Sequence, residues 1–230
     1  MKKRLKKIVR ISIFMCLCMF ILGIVVDKKV ENQDDENVVD KTTPWNLMVV
    51  NKWNSLDEDY EINLKELSNG HSVDERCYDD LISMIDDCRN AGLQPVICSS
   101  YRSYEKQEQL YNNKIEILIA QGYTKKQAVE EAGKSVAIPG TSEHQMGLAV
   151  DIVDMNNQNL DESQESTDVQ KWLMANSYKY GFILRYPNGK SSITGIIYEP
   201  WHYRYVGKED AIEIYESGLC LEEYVMNIYS

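Results

Sequence analysis

Histidine is scarce in this chain: three in 230 residues, at positions 71, 144 and 202. Against so thin a background, histidines that fall among acidic and small residues carry weight. Other absences narrow the field. None of the six cysteines forms a Cys-x-x-Cys pair, which argues against a cysteine zinc module. No internal repeat is present, so a solenoid is excluded. Positive charge is outnumbered by negative charge beyond the start of the chain. Six of the 25 lysines and arginines lie between Lys2 and Arg10, leaving 19 against 36 acids, a charge of about −17. Such a surface repels nucleic acid, and none is expected as a partner.

What the first segment does contain is a membrane signature. Lys2, Lys3, Arg4, Lys6, Lys7 and Arg10 precede an uncharged apolar run from Ile11 to Val26. Counted from Ile8, with Arg10 snorkelling, the run is near the lower limit for a spanning helix, and the basic end belongs in the cytoplasm. A cleaved signal peptide is the competing reading. The residues after Gly23, Ile24-Val25-Val26-Asp27-Lys28-Lys29, offer no Ala-x-Ala-like site, which favours an uncleaved anchor. The expected organisation is a cytoplasmic basic tail (1–7), a transmembrane anchor (8–26), a polar acidic linker (27–44) and one domain (45–230). The domain is then extracellular and tethered to the cell membrane.

Within the domain, Asn46–Asn51 reads as a short strand. Val73, Cys77, Leu81, Met84, Ile85 and Cys88 share one helical face that stops at Ala91-Gly92. Cys77 and Cys88 on one helix stand about 16 Å apart, too far for a disulfide. Buried free thiols are expected, with a bridge through Cys98 or Cys220 left open. Gln94–Ser99 reads as a buried strand. Two helices follow, one carrying Gln107, Leu110, Tyr111 and Ile115, the next running from Thr124 to about Ser135. Pro139-Gly140 makes a turn. Leu148, Val150 and Ile152 alternate with Ala149, Asp151 and Val153, giving a strand with a core face and a face that presents Asp151. Asp154–Asp168 reads as solvated acidic surface. A helix over Val169–Tyr180 ends at Gly181, strands are expected at Phe182–Leu184, Gly195–Tyr198 and Tyr203–Val206, and helices at Ala211–Tyr215 and Leu219–Tyr229. The class is α+β, a small antiparallel sheet packed with helices.

Two of the three histidines sit in chemically dense segments: Ser142-x-His144-x-x-Gly147-x-Ala149-x-Asp151 and Glu199-Pro200-Trp201-His202. Catalytic zinc takes three ligands from His, Asp, Glu or Cys and keeps a fourth position open, and His144, Asp151 and His202 supply such a set. Glu199, three residues before His202, is placed to exchange protons with water attacking a carbonyl. Strict alternation would put Glu199 and His202 on opposite faces, but Pro200 cannot donate a ladder hydrogen bond and marks an edge or bulge, a bend that lets both side chains reach one metal. Arg102, at the end of a strand, is a candidate fixed charge for a developing oxyanion. On spacing alone it is equally a surface arginine. His71, in a polar loop between Gly70 and Ser72, reads as structural.

The chain resembles the VanY-type D-alanyl-D-alanine carboxypeptidases, zinc peptidases that share a fold with D,D-dipeptidases and the Hedgehog N-terminal domain. The resemblance runs from about Asn46 to Gly218. It is carried by Met48-Val49-Val50-Asn51-Lys52, Ser100-Tyr101-Arg102-Ser103-Tyr104 with Gln107, the Ser-x-His-x-x-Gly-x-Ala-x-Asp element, Tyr180-Gly181-Phe182-Ile183-Leu184-Arg185-Tyr186-Pro187 and Tyr198-Glu199-Pro200-Trp201-His202-Tyr203-Arg204-Tyr205-Val206-Gly207. It implies one zinc ion on His144, Asp151 and His202, Glu199 as catalytic base, and Arg102 as stabiliser of the tetrahedral intermediate. It also places Gln107, Ser142 and Trp201 near the bound peptide terminus. The implied activity is removal of the C-terminal D-alanine from peptidoglycan stem pentapeptides by a monomer, in wall maturation or in glycopeptide resistance. Trimming of tetrapeptides by an L,D-carboxypeptidase, and a non-catalytic wall-binding module stabilised by zinc, remain open alternatives.

Overall fold

The computed structural model describes residues 43–57 and 60–229. The basic tail, the expected membrane anchor and nearly all of the linker lie outside the described residues. Among the described residues no helix is long and apolar enough to cross a membrane.

A short antiparallel hairpin, β1 (Leu64–Glu66) and β2 (Ser72–Asp74), leads into helix α1 (Glu75–Asn90). Asp74 caps that helix by accepting the Arg76 amide, and the chain leaves it at Gly92, whose φ of +85° suits a residue without Cβ. The buried face of α1 is Cys77, Leu81, Met84, Ile85 and Cys88, the face its periodicity predicts. Leu81, Met84 and Ile85 each contribute roughly 1.5–3 kcal/mol on burial.

That face packs on a four-stranded antiparallel sheet of β3 (Pro95–Ser99), β4 (Ala149–Asp154), β5 (Phe182–Leu184) and β6 (His202–Tyr205), in spatial order β3-β4-β6-β5. Val150 and Ile152 of β4 join Phe182, Tyr203 and Tyr205 in the core against α1 and helix α4 (Asp168–Asn176), which adds Val169 and Leu173. Helices α2 (Tyr104–Ala120) and α3 (Lys125–Ala132) pair with each other beyond the sheet. A one-turn α5 (Ser191–Thr194) precedes β6, and α6 (Lys208–Ser217) and α7 (Leu221–Tyr229) close the domain over a second apolar cluster around Ile183, Val206 and Ile214.

Four sequence expectations are corrected. Asn46–Asn51 is not a strand: its Asn46 and Met48 carbonyls accept from the buried Arg204 guanidinium instead of from a neighbouring strand. Gly195–Tyr198 is not a strand either. Gly195 ends α5 at φ +79°, and the Ile197 amide donates to the Lys134 carbonyl, so the segment joins the loop after α3 and its isoleucines face a cleft. The expected Val169–Tyr180 helix divides at Ser177 into α4 and a 3-10 turn, Ser177–Tyr180. Within Asp154–Asp168, mostly exposed as expected, Gln164 is fully buried and accepts from the Asp154 amide, while Leu160 lines the cleft. The hairpin β1–β2 has no clear sequence signature, because β1 is exposed along its whole length. All four cysteines outside the N-terminal segment are free; three are buried, and Cys98 is exposed at a register shift in β3.

Candidate active site

The sheet register creates the site. Asp151 of β4 and His202 of β6 are direct cross-strand partners, so their side chains rise from one face, where opposed Cβ atoms stand about 5 Å apart. His202 Nδ1 lies 3.0 Å from Asp151 Oδ1. His144 arrives from a 3-10 turn, Glu143–Met146, that leads into β4. Gly147 ends this turn at φ +66° and has no room for a side chain: a Cβ there would meet Ile62 Cδ1 at 2.5 Å and the Asp74 amide nitrogen at 2.8 Å. Its carbonyl also accepts the Asp74 amide, which ties the turn to the start of α1. His144 Nε2 thereby sits 3.3 Å from Asp151 Oδ2.

The ring nitrogens of the two histidines are used in opposite senses. His144 Nδ1 lies 2.7 Å from the Ser100 carbonyl, which can only accept, so Nδ1 carries the hydrogen and Nε2 offers a lone pair. His202 turns Nε2 away toward Glu143 Oε2 and Nδ1 toward Asp151. The donor atoms of His144, Asp151 and His202 lie within 4.8 Å of one another, and all three residues are buried. Two imidazoles and one carboxylate are a donor set that suits zinc.

Glu199 reaches this cluster through a turn. The His202 amide donates to the Glu199 carbonyl at 3.2 Å, closing Glu199-Pro200-Trp201-His202 as a β-turn with proline at its second position, where its fixed φ is favourable. Glu199 Oε2 consequently stands 3.7 Å from His202 Nδ1. The turn, in place of a bulge, is how Pro200 brings both side chains to one side.

Arg102 is held on three sides. Its Nη2 donates to Asp151 Oδ2 at 2.8 Å, Nε to Ser99 Oγ at 2.9 Å, and Nη1 to Gln107 Oε1 at 3.4 Å. Its backbone amide donates to the His144 carbonyl. Helix α2 is capped by Ser103, not by the Arg102 side chain.

Burial and these charges set the protonation states. Burial, reinforced by Arg102, takes His144 down to about 4. Burial opposes charge on His202 too, but the hydrogen bond to Asp151 and the nearby carboxylates of Glu143 and Glu199 outweigh it and raise the ring to about 9. For Asp151 burial acts upward, yet His144, His202 and Arg102 together hold it well below the usual carboxylate range. Glu199 keeps the effect of burial: it rises to about 8, with Asp151 adding to the rise and His202 and Arg102 limiting it.

The cluster opens into a cleft of about 440 Å³. Ser142, Trp201, Glu199, Arg102 and the three candidate ligands line it, together with Tyr186, Leu110, Lys114, Ile117 and Ile197. Gln107 does not line it. Its side chain is fully buried, donating to the Ala137 carbonyl at 2.7 Å and accepting from Arg102, so it braces the arginine. His71 lies in the β1–β2 connection, where its carbonyl accepts the Leu67 amide. Sequence reasoning assigned nothing to Glu143, Arg185 and Arg204, all fully or almost fully buried, with Glu143 Oε2 3.7 Å from His202 Nε2. Glu143 occupies an unassigned position of the Ser-x-His element, and nothing local to it signals burial.

The sequence model of the VanY family, described as D-alanyl-D-alanine carboxypeptidase, matches residues 70–208. A D-alanyl-D-alanine carboxypeptidase of Enterococcus faecalis (strain ATCC 700802 / V583) is 47% identical over 79% of this chain and 66% of its own length. A second, from Enterococcus faecium, is 36% identical over 62% of this chain and 40% of its own. The chain thus spans just under two thirds or less of these two relatives. Among solved structures, a vancomycin-resistance D,D-pentapeptidase VanY in complex with Zn(II) superposes with a TM-score of 0.73 at 46% identity, covering 79% of this chain and 99% of that one. VanYB in complex with D-alanine-D-alanine gives 0.74 at 45% identity, covering 81% and 100%. The LD-carboxypeptidase LdcB gives 0.67 at 36% identity, covering 80% and 88%. The candidate ligand cluster, the turn that carries Glu199 and the braced Arg102 all lie within residues 70–208, the stretch the family model matches, and the chain belongs to the VanY family of D-alanyl-D-alanine carboxypeptidases.

Proposed function

We propose that this protein is a zinc-dependent D,D-carboxypeptidase that removes the terminal D-alanine from peptidoglycan stem pentapeptides. The observation that carries this reading is the convergence of His144, Asp151 and His202 with Glu199 and Arg102 on one cleft wall. Bound there, zinc supplies Lewis acidity that acidifies water and polarises the scissile carbonyl.

The chain's own residues do the rest. Glu199, a buried carboxyl beside His202, takes the proton from the attacking water and returns it to the departing amine; burial raises it to about 8 in the metal-free protein, and the positive charge of a bound cation would favour the carboxylate form this task needs. Arg102, fixed by Asp151, Ser99 and Gln107, meets the negative charge that grows on the carbonyl oxygen, with no reorganisation needed during reaction. Ser142 and Trp201, at the cleft wall, hold the peptide terminus. Gln107 contributes by keeping Arg102 in place.

In this reading residues 8–26 anchor a monomer to the cell membrane with the domain outside, where peptidoglycan and its precursors are found, and the activity contributes to glycopeptide resistance. The similarity to LdcB supports a second reading, an L,D-carboxypeptidase acting on tetrapeptides through the same residues. One experiment separates them. Detergent-solubilised full chain is incubated with defined stem pentapeptide and tetrapeptide, with and without chelator, and released D-alanine is measured. Chelator-sensitive release from the pentapeptide is expected; release from the tetrapeptide alone reassigns the specificity, and release from neither by zinc-loaded protein leaves a binding module.

A further inference from the structure

Two buried side-chain polar atoms lack a hydrogen-bond partner among the described residues, Glu143 Oε2 and His202 Nε2. They face each other at 3.7 Å. Leaving a buried donor or acceptor unpaired costs about 1–3 kcal/mol, so two orphans pointed at one another suggest a hydrogen bond that forms in another state of the site.

Glu143 has little freedom to seek another partner. Its Oε1 accepts from Arg185 Nε and from Arg204 Nη1, each at 2.7 Å. Both arginines are completely buried, and each of their other side-chain nitrogens has a partner. Arg185 grips Glu222 of α7 with Nη1 and Nη2 at 2.8 and 2.7 Å. Arg204 donates to the carbonyls of Tyr205, Asn46 and Met48. With Oε1 locked by two guanidinium groups, Oε2 can only aim at His202.

We propose that Glu143 is a positioning residue. Clamped by Arg185 and Arg204, its Oε2 receives the Nε2 hydrogen of His202 and so leaves the Nδ1 lone pair to the metal. The inference rests on the zinc reading above. Its chemistry is general: a ligating histidine donates its second ring N–H to an oxygen acceptor, which sets tautomer and ring orientation, and loss of that acceptor weakens metal binding about 10–100-fold. His144 is set the other way round by the Ser100 carbonyl, so each ring presents a different nitrogen.

The test uses full chain in detergent. Zinc affinity is measured by competition with a chromophoric chelator, and the ring tautomers are read by ¹⁵N NMR of the three histidines. Glu143→Gln keeps an oxygen for the arginines and replaces the carboxylate acceptor facing Nε2 with an amide, so zinc affinity falls 10–100-fold. Ile214→Ala, which empties part of the second apolar cluster, supplies a destabilised comparator whose zinc affinity stays within threefold of wild type. Wild-type affinity in a folded Glu143→Gln protein, or an equal loss in Ile214→Ala, overturns the proposal. If Glu143→Gln does not fold, the zinc-loaded wild type decides: a hydrogen on His202 Nε2 supports the assignment, and a hydrogen on Nδ1 overturns it. Failure of the wild type to take up zinc at all sinks the zinc reading itself and this inference with it.

Discussion

Replacing Glu199 by glutamine preserves the shape of the side chain and removes its proton chemistry. In the metal-free protein burial raises Glu199 from 4.5 to about 8, which corresponds to roughly 5 kcal/mol against carrying the charge in the fold. A carboxyl whose folded pKa is raised lets the folded state hold the proton longer than the unfolded chain does. Stability is then greatest below the unfolded value, falls as pH rises from about 4.5 to about 8, and is level above. Glutamine has no such dependence. Metal-free Glu199→Gln should match the wild type near pH 4.5 and exceed it by several kcal/mol at pH 8.5, as measured by urea unfolding. Because Glu199 is not among the three ligands, zinc content should be retained. Turnover should drop about 10²–10⁴-fold with the general base gone. Release of D-alanine within threefold of the wild-type rate would refute the proton-transfer role. Equal stability of the two metal-free proteins at pH 8.5 would refute the buried-charge argument, whatever the turnover.

Arg102→Ala should lower kcat about 10²–10³-fold with zinc still bound, because its guanidinium meets charge that grows only as the reaction proceeds; an effect confined to KM counts against this role. Gly147→Ala should destabilise the protein by at least about 2 kcal/mol in denaturant unfolding, since it combines a φ of +66° with contacts of 2.5 and 2.8 Å; a fully stable variant shows that the turn is not constrained as described. Chelation should lower Tm, and zinc at a thousandfold excess over its Kd should restore about 4 kcal/mol; a Tm indifferent to both argues that no ion belongs there. Zinc uptake at pH 7 should release at least one proton, because His202, raised to about 9, holds one that the metal must displace. The same raised value means that His202 stabilises the metal-free fold below about pH 6.5 and that this contribution is lost as pH rises toward 9. Binding enthalpies that do not vary with buffer ionisation enthalpy would contradict the proton release.

Elements whose burial repeats at a regular local period are legible in the order of residues alone. The α1 face from Cys77 to Cys88 and the alternation of β4 both follow from a single helix or strand meeting a single core. Segments with apolar residues but no sheet neighbour are the ones that mislead. Asn46–Asn51 is tied down by Arg204, and Ile196 and Ile197 are apolar because they wall a cleft. Sequence patterns record that a residue is buried, not what covers it.

At the site the division is similar. Residue types and spacing single out His144, Asp151, His202 and Glu199 as candidates, because they fall in two short segments, whereas Arg102 is drawn in only by the family resemblance, spacing alone leaving it equally a surface arginine. Three-dimensional packing alone decides which nitrogen of each histidine turns toward Asp151, that Gln107 braces Arg102 away from the cleft, and that Glu143 lies locked between Arg185 and Arg204. Those outcomes depend on pairing charges 42 and 61 positions apart in a volume closed to water. A buried charge is tolerable only when its partners are in place, and which partners reach it is set by the crossing of strands and loops, not by the neighbouring residues in the chain.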